Sequence, residues 1–163
     1  MTQDTPSFLV KVAIVGCGNR GTIYSSYTQY SSDMQVVQLA DRSPMRLKAL
    51  ANKLSLDSSS CYSSWEDLLD APKIADAVII CVLDKLHKQV AVAFANKGYN
   101  ILLEKPMATE LDDCKEVYEA VRRNNVILGI CHVLRYTAYN QKIKEIIDSG
   151  VLGDVVGIQH MEP

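Results

Sequence analysis

The sequence predicts an α/β fold, a doubly wound, mostly parallel sheet with helices on both faces. Three observations predict it. Strand and helix signals alternate from Val10 to Ile158. The first apolar run, Val12 to Val15, ends directly in Gly16-Cys17-Gly18-Asn19-Arg20-Gly21. The run Ala77 to Leu83, A-V-I-I-C-V-L, is continuously apolar, like a parallel strand with no face left for water. Right-handed β-α-β crossovers then place helices on both sides of one sheet.

The first unit reads V-K-V-A-I-V-G-C-G-N-R-G over Val10 to Gly21. Its G-x-G-x-x-G spacing has a mechanical reading as a Rossmann-type dinucleotide turn. Gly16 lets the chain leave the strand tightly. Gly18 lets a pyrophosphate approach the backbone, and Gly21 lets the next helix lie close to the sheet. Ile23, Tyr27 and Tyr30 are expected to form that helix's apolar face. The helix N-terminus offers free N–H groups to an anion. A second strand, Gln35 to Ala40, ends in Asp41, 20 residues after Gly21. An acidic residue there can accept hydrogen bonds from an adenosine ribose. Asp41 favours NAD, because a carboxylate repels a 2′-phosphate. Arg42 would pair with that phosphate of NADP if Asp41 turned aside.

The later elements follow the same alternation. Ser43 is expected to cap a helix with Pro44 in its first turn, and Leu47, Leu50, Ala51 and Leu54 recur at helical spacing. Ser58 to Ser64 reads as a loop with a weak strand at Cys61-Tyr62. Ser64 should cap a short helix carrying Trp65, Leu68 and Leu69. After the apolar strand, Leu86, Val90, Ala93 and Phe94 stripe a helix that Gly98 ends. Asn100 to Leu103 is another strand. Thr109 is expected to cap a helix with inner face Leu111, Cys114, Val117, Tyr118 and Val121. Asn125 to Cys131 reads as a strand. Ile143, Ile146 and Ile147 mark a helix that Gly150 closes, and Val155 to Ile158 begins a last strand. Helix charges such as Lys115, Glu116, Arg122 and Arg123 read as a solvated face. The expected organisation is a dinucleotide-binding domain over 1–150, with 151–163 starting a connection to a further domain.

Composition narrows the class. A chain of 163 residues suits one domain and buries roughly 70% of its unfolded surface. Hydrophobic content of 48% and charged content of 22% fit a globular protein. Net charge is −2 and Lys and Arg are scattered, so no nucleic-acid surface is indicated. M-T-Q-D-T-P-S lacks the regions of a secretory signal, and no apolar run reaches the ~20 residues that span a bilayer. No membrane partner is expected. The five cysteines are odd in number and widely spaced, without C-x-x-C. Reduced thiols in a cytoplasmic protein are the plain reading, with no metal site and no disulfide framework. Cys17 in the turn reads as a small spacer, with a redox role as the alternative. Cys81 and Cys131 read as core.

In open α/β sheets, ligands bind at the carboxyl ends of the strands. That rule selects the loops Gly16 to Gly21, Asp41-Arg42, Leu83 to His87, Glu104 to Pro106 and His132 to Tyr136. Pro106 restricts Lys105 before it and so defines the lysine's direction. On the residues alone, Lys105 also reads as an exposed lysine in a turn. His132 also reads as a hydrogen-bonded histidine at a strand end, and Arg135 as the partner of a surface carboxylate.

Together the motifs resemble the N-terminal half of the glucose–fructose oxidoreductase, inositol dehydrogenase and rhizopine-catabolism (Gfo/Idh/MocA) family. The resemblance rests on V-A-I-V-G-C-G-N-R-G, A-D-R-S-P, V-I-I-C-V-L-D-K-L-H, I-L-L-E-K-P-M-A-T, C-H-V-L-R-Y and I-I-D-S-G-V-L-G-D-V-V-G-I. E-K-P is the most specific of these. The resemblance implies that Gly16, Gly18 and Gly21 cradle a pyrophosphate that Asn19 and Arg20 contact. It implies that Asp41 holds the ribose, that the edge Val82 to Leu86, Leu83 included, lines the cofactor, and that His87 is the family's histidine there. Glu104 and Lys105 would lie near the nicotinamide, with Lys105 catalytic. His132 and Arg135 would face the substrate. The family often has Pro-Asn where this chain has Leu83-Asp84, and a proline near Ala138.

The implied activity is oxidoreduction of a CH–OH group on a sugar, polyol or related compound by hydride transfer with NAD. Family members carry a second domain that supplies most substrate contacts and usually the subunit interface. A homo-oligomer is compatible with that. Alone, the fragment is expected to bind dinucleotide with little or no turnover. The alternative class is a non-catalytic dinucleotide sensor or interaction module. An S-adenosylmethionine methyltransferase shares the glycine turn and the acidic residue, but leaves E-K-P unexplained.

Overall fold

A computed structural model describes residues 8–161. The segment 1–7, read above as lacking a secretory signal, lies outside the described residues, as do 162–163. The chain divides into two compact units, one through Cys131 and one from His132.

The first unit is built on a six-stranded sheet. The strands are β1 (Val10–Val15), β2 (Met34–Ala40), β3 (Cys61–Tyr62), β4 (Ala77–Ile80), β5 (Asn100–Leu103) and β6 (Leu128–Ile130). Their order is β3-β2-β1-β4-β5-β6, and every pairing is parallel. The chain winds outward in both directions from β1 and β4, so the crevice at their carboxyl ends is the topological switch point. The helices are α1 (Asn19–Ser25), α2 (Pro44–Leu54), α3 (Trp65–Asp70), α4 (His87–Asn96) and α5 (Leu111–Arg123).

Alternation along each strand splits the core in two. Ala13, Val15, Val78, Ile80 and Leu103 meet Leu68, Val90, Phe94 and Val117 from α3, α4 and α5. Val12, Ile14, Leu39 and Ile79 meet Leu50 and Ala51 of α2, with Tyr24 of α1 alongside. Helices therefore cover both faces, as the unbroken apolar reading of β4 requires.

The caps at the second and third helices form as expected. Ser43 accepts from the Arg46 N–H with Pro44 in the first turn, and Ser64 accepts from the Asp67 N–H at 3.1 Å. Ser64 opens the helix that buries Trp65 and Leu68. Ser64→Ala is expected to cost about 1 kcal/mol of stability, measurable as a shifted urea midpoint at unchanged slope. A midpoint equal to the wild type would refute the cap.

Several expectations are corrected. Ile23, Tyr27 and Tyr30 do not form a buried face; they are 48%, 50% and 83% exposed. Helix α1 ends at Ser25, a 3₁₀ turn follows over Ser26–Gln29, and Gly21 and Ser25 are what the helix buries. The three exposed side chains border an apolar groove with Met34, Ile79 and Leu102. On α5, Leu111 and Tyr118 are exposed, while Val117, Ala120 and Val121 are buried. The residue before α5 is Glu110, and Thr109 makes no cap. The strand expected over Asn125 to Cys131 is confined to β6, because Asn125, at φ +52°, is spent turning out of α5. Likewise β4 stops at Ile80, before Cys81, Val82 and Leu83.

The second unit holds a 3₁₀ turn, Val133–Tyr136, and α6 (Ala138–Asp148). Thr137 caps α6 by accepting from the Asn140 N–H, and Gly150 follows at φ +72°. Val155 to Ile158 is not a strand and pairs with none among the described residues.

Candidate functional site

The carboxyl edge of the sheet carries the candidate site. Gly16 leaves β1 at φ +99°, and its N–H donates to the Ala40 carbonyl at 2.8 Å. A β-carbon on Gly16 would run into the Cys81 carbonyl, and one on Gly21 into the Gly16 carbonyl. Gly18 differs, because nothing lies within 4 Å of a β-carbon placed there. Two glycines thus close the turn against the protein, and the third leaves its outer side open to a ligand.

Asp41 directly follows β2 and is 9% exposed. Its Oδ2 accepts the Cys17 N–H at 2.7 Å, and its Oδ1 accepts the Ser43 N–H at 2.7 Å. The Arg46 guanidinium lies 3.3 Å from Oδ1. The carboxylate therefore ties the glycine turn to the start of α2. A carboxylate offers about four acceptor positions, and the two N–H groups and Arg46 leave about one for a ligand hydroxyl. Arg42 is exposed and turns to Glu66 at 3.4 Å. Cys17 is buried, and its thiol is pushed up to about 12, by burial first and then by the Asp41 charge. A thiol held protonated is a poor nucleophile, so the spacer reading stands over the redox one.

Beyond β4, Leu83 is 67% exposed and precedes a 3₁₀ turn over Asp84–Leu86. His87 lies under this edge, fully buried. Its Nδ1 is 2.6 Å from the Pro106 carbonyl and its Nε2 is 3.2 Å from the Val82 carbonyl. The imidazole bridges the two loops that flank the crevice.

Beyond β5, Glu104 is buried and Lys105 is exposed, and the Lys105–Pro106 peptide is cis. Glu104 Oε1 accepts the Tyr24 phenol at 2.5 Å and lies 3.7 Å from Arg20 Nε. Its Oε2 accepts the Lys105 N–H at 3.1 Å. Burial, the Cys131 thiol and Glu104 all push the Tyr24 phenol up. The Lys105 ammonium makes no ion pair among the described residues. Asn19 and Arg20 open α1 and are exposed.

One edge thus gathers Gly16, Gly18, Asn19, Arg20, Gly21, Asp41, Arg42, Leu83, Glu104 and Lys105. His132 and Arg135 belong to the second unit. There Arg135 donates its backbone N–H to the His132 carbonyl at 3.1 Å, and both side chains are exposed. Two side chains escaped the sequence reading. Tyr24 is three residues past the glycine turn, hidden within an apolar pattern. Arg46 had a usable signal: the Ser43-Pro44 start puts it in the first turn of α2, beside Asp41.

Strand order, glycine turn and edge carboxylate define a dinucleotide-binding Rossmann domain. The oxidoreductase family with an NAD-binding Rossmann fold matches residues 10–132. The chain belongs to that family, Gfo/Idh/MocA, as its NAD-binding domain. An uncharacterized oxidoreductase of Streptococcus pneumoniae is 31% identical over 91% of this chain and 39% of its own length. Inositol 2-dehydrogenase of Salmonella typhimurium is 32% identical over 88% of this chain and 43% of its own. The WlbA dehydrogenase of Bordetella pertussis, solved with NADH and UDP-GlcNAcA, is similar in structure at a TM-score of 0.80. It is 27% identical, covering 89% of this chain and 43% of that one. The chain spans about two fifths of the length of these relatives. Among the described residues, no helix is long and apolar enough to cross a membrane.

Proposed function

We propose that this domain holds NAD along the carboxyl edge of its sheet and, within a whole protein, serves hydride transfer at a CH–OH carbon of a sugar, polyol or related compound. The observation that carries the reading is convergence. Loops after β1, β2, β4 and β5 bring an open glycine turn, a buried carboxylate, an exposed apolar side chain and an exposed lysine to one switch-point crevice. The glycine turn, with Asn19 and Arg20, takes the pyrophosphate. Asp41 takes the adenosine ribose, and Arg42, turned to Glu66, is no rival for a 2′-phosphate. NAD is therefore preferred over NADP. Leu83 covers the cofactor's apolar side. His87 acts from beneath by holding the Val82 and Pro106 backbones.

NAD supplies a hydride acceptor. Lys105 holds the substrate hydroxyl and shares its proton, and Glu104 sets the start of that loop. His132 and Arg135 are assigned to the substrate side. The inositol and nucleotide-sugar relatives support the substrate class. Free thiols at all five cysteines fit a cytoplasmic location.

Titration calorimetry with NAD tests the reading. The wild type should bind. Asp41→Ala should bind more weakly by roughly 1.5–3 kcal/mol, the scale of hydrogen bonds to a charged group. Asp41 also ties two backbone N–H groups, so Asp41→Asn serves as a milder variant. Equal NAD affinity in both variants would sink the ribose assignment.

A further inference from the structure

Arg20 has two claims on it. The site reading gives its guanidinium to the pyrophosphate, yet its Nε lies 3.7 Å from the buried Glu104 carboxylate. An arginine that turned to a phosphate would leave that carboxylate short of a partner, and an unpaired buried charge is costly. The structure already provides a replacement. The Tyr24 phenol donates to the same oxygen, Oε1, at 2.5 Å, within the range of charge-assisted O–H···O⁻ bonds. Arg20 and Tyr24 stand four residues apart on one face of α1, so both reach one carboxylate. The other groups around Glu104 are the Lys105 backbone N–H, which donates to Oε2, and the Cys81 and Cys131 thiols, which burial pushes up and keeps protonated, so none of them supplies a cation.

We propose that Tyr24 is a positioning residue of the dinucleotide site: its phenol keeps the buried Glu104 carboxylate satisfied, which frees Arg20 to engage the pyrophosphate. The inference rests on the dinucleotide reading above. It couples the phosphate turn to the E-K-P loop through a contact between residues 80 apart in sequence.

The test compares ADP-ribose, which carries a pyrophosphate, with adenosine, which carries none, by calorimetry on the purified chain. Tyr24→Phe should bind ADP-ribose about 10–150-fold more weakly, the loss expected for one hydrogen bond to a charged group, and adenosine within about twofold of wild type. On a Glu104→Gln background, where no charge competes for Arg20, Tyr24→Phe should change ADP-ribose affinity by less than about twofold. Glu104→Gln alone should bind ADP-ribose at least as tightly as wild type, and this variant carries the test should Tyr24→Phe fail to fold. The proposal is overturned by an unchanged ADP-ribose affinity in Tyr24→Phe, by an equal loss for adenosine, by the same loss on both backgrounds, or by weakened ADP-ribose binding in Glu104→Gln. A wild type that binds neither ligand overturns the dinucleotide reading itself.

Discussion

Lys105→Ala should leave NAD affinity within about twofold and cut turnover by on the order of 10²–10⁴-fold, once this domain is joined to a substrate domain of its family. The reason lies in the loop's construction. Glu104 is buried and anchored by Tyr24, while Pro106 restricts the backbone on the other side. The exposed ammonium between them makes no ion pair among the described residues. On the proposed reading, it is available to a substrate hydroxyl whose proton must leave as the hydride does. Absorbance at the NADH band gives the rate directly. A variant with wild-type turnover would refute the catalytic role, and loss of NAD binding would show that Lys105 anchors the cofactor instead.

Gly16→Ala is expected to destabilise the first unit by roughly 3–5 kcal/mol, combining backbone strain with overpacking. The position has φ +99°, and the added methyl would meet the Cys81 carbonyl, with the Cys81 β-carbon 3.3 Å away. Neither side can move easily. The Gly16 N–H is bonded to Ala40, and the Cys81 N–H donates to the Val15 carbonyl at 2.7 Å. Urea unfolding of the purified chain measures the cost. A loss below about 1 kcal/mol would show that the turn relaxes, contrary to this account.

Much of the fold was legible because its signals are local. A strand buried on both faces needs an unbroken apolar run, and β4 has one. A parallel sheet needs helical crossovers, and the apolar stripes of α2 and α4 supply them. The misreadings share a cause. Periodicity shows that a helix has an apolar side, but not which side its neighbours cover. On α1, only about two turns long, close contact between Gly21 and Gly16 sets the rotation and turns Ile23 outward. On α5, Val117, Ala120 and Val121 face the core, and Leu111 falls outside it at the first turn. Val155 to Ile158 has strand composition, but a strand exists only through its partner.

The doubly wound parallel sheet, the glycine turn, the carboxylate after β2 and the E-K-P loop were all legible in the unfolded chain. Each depends on residue types at short spacing, and spacing fixes local geometry. The tertiary structure alone decided what those residues touch. It gave Asp41 the Cys17 and Ser43 N–H groups and Arg46, set His87 beneath the crevice, and brought Tyr24 and Arg20 to Glu104. Such partners are chosen by how helices seat on the sheet, which depends on packing across the whole unit rather than on any one stretch of chain.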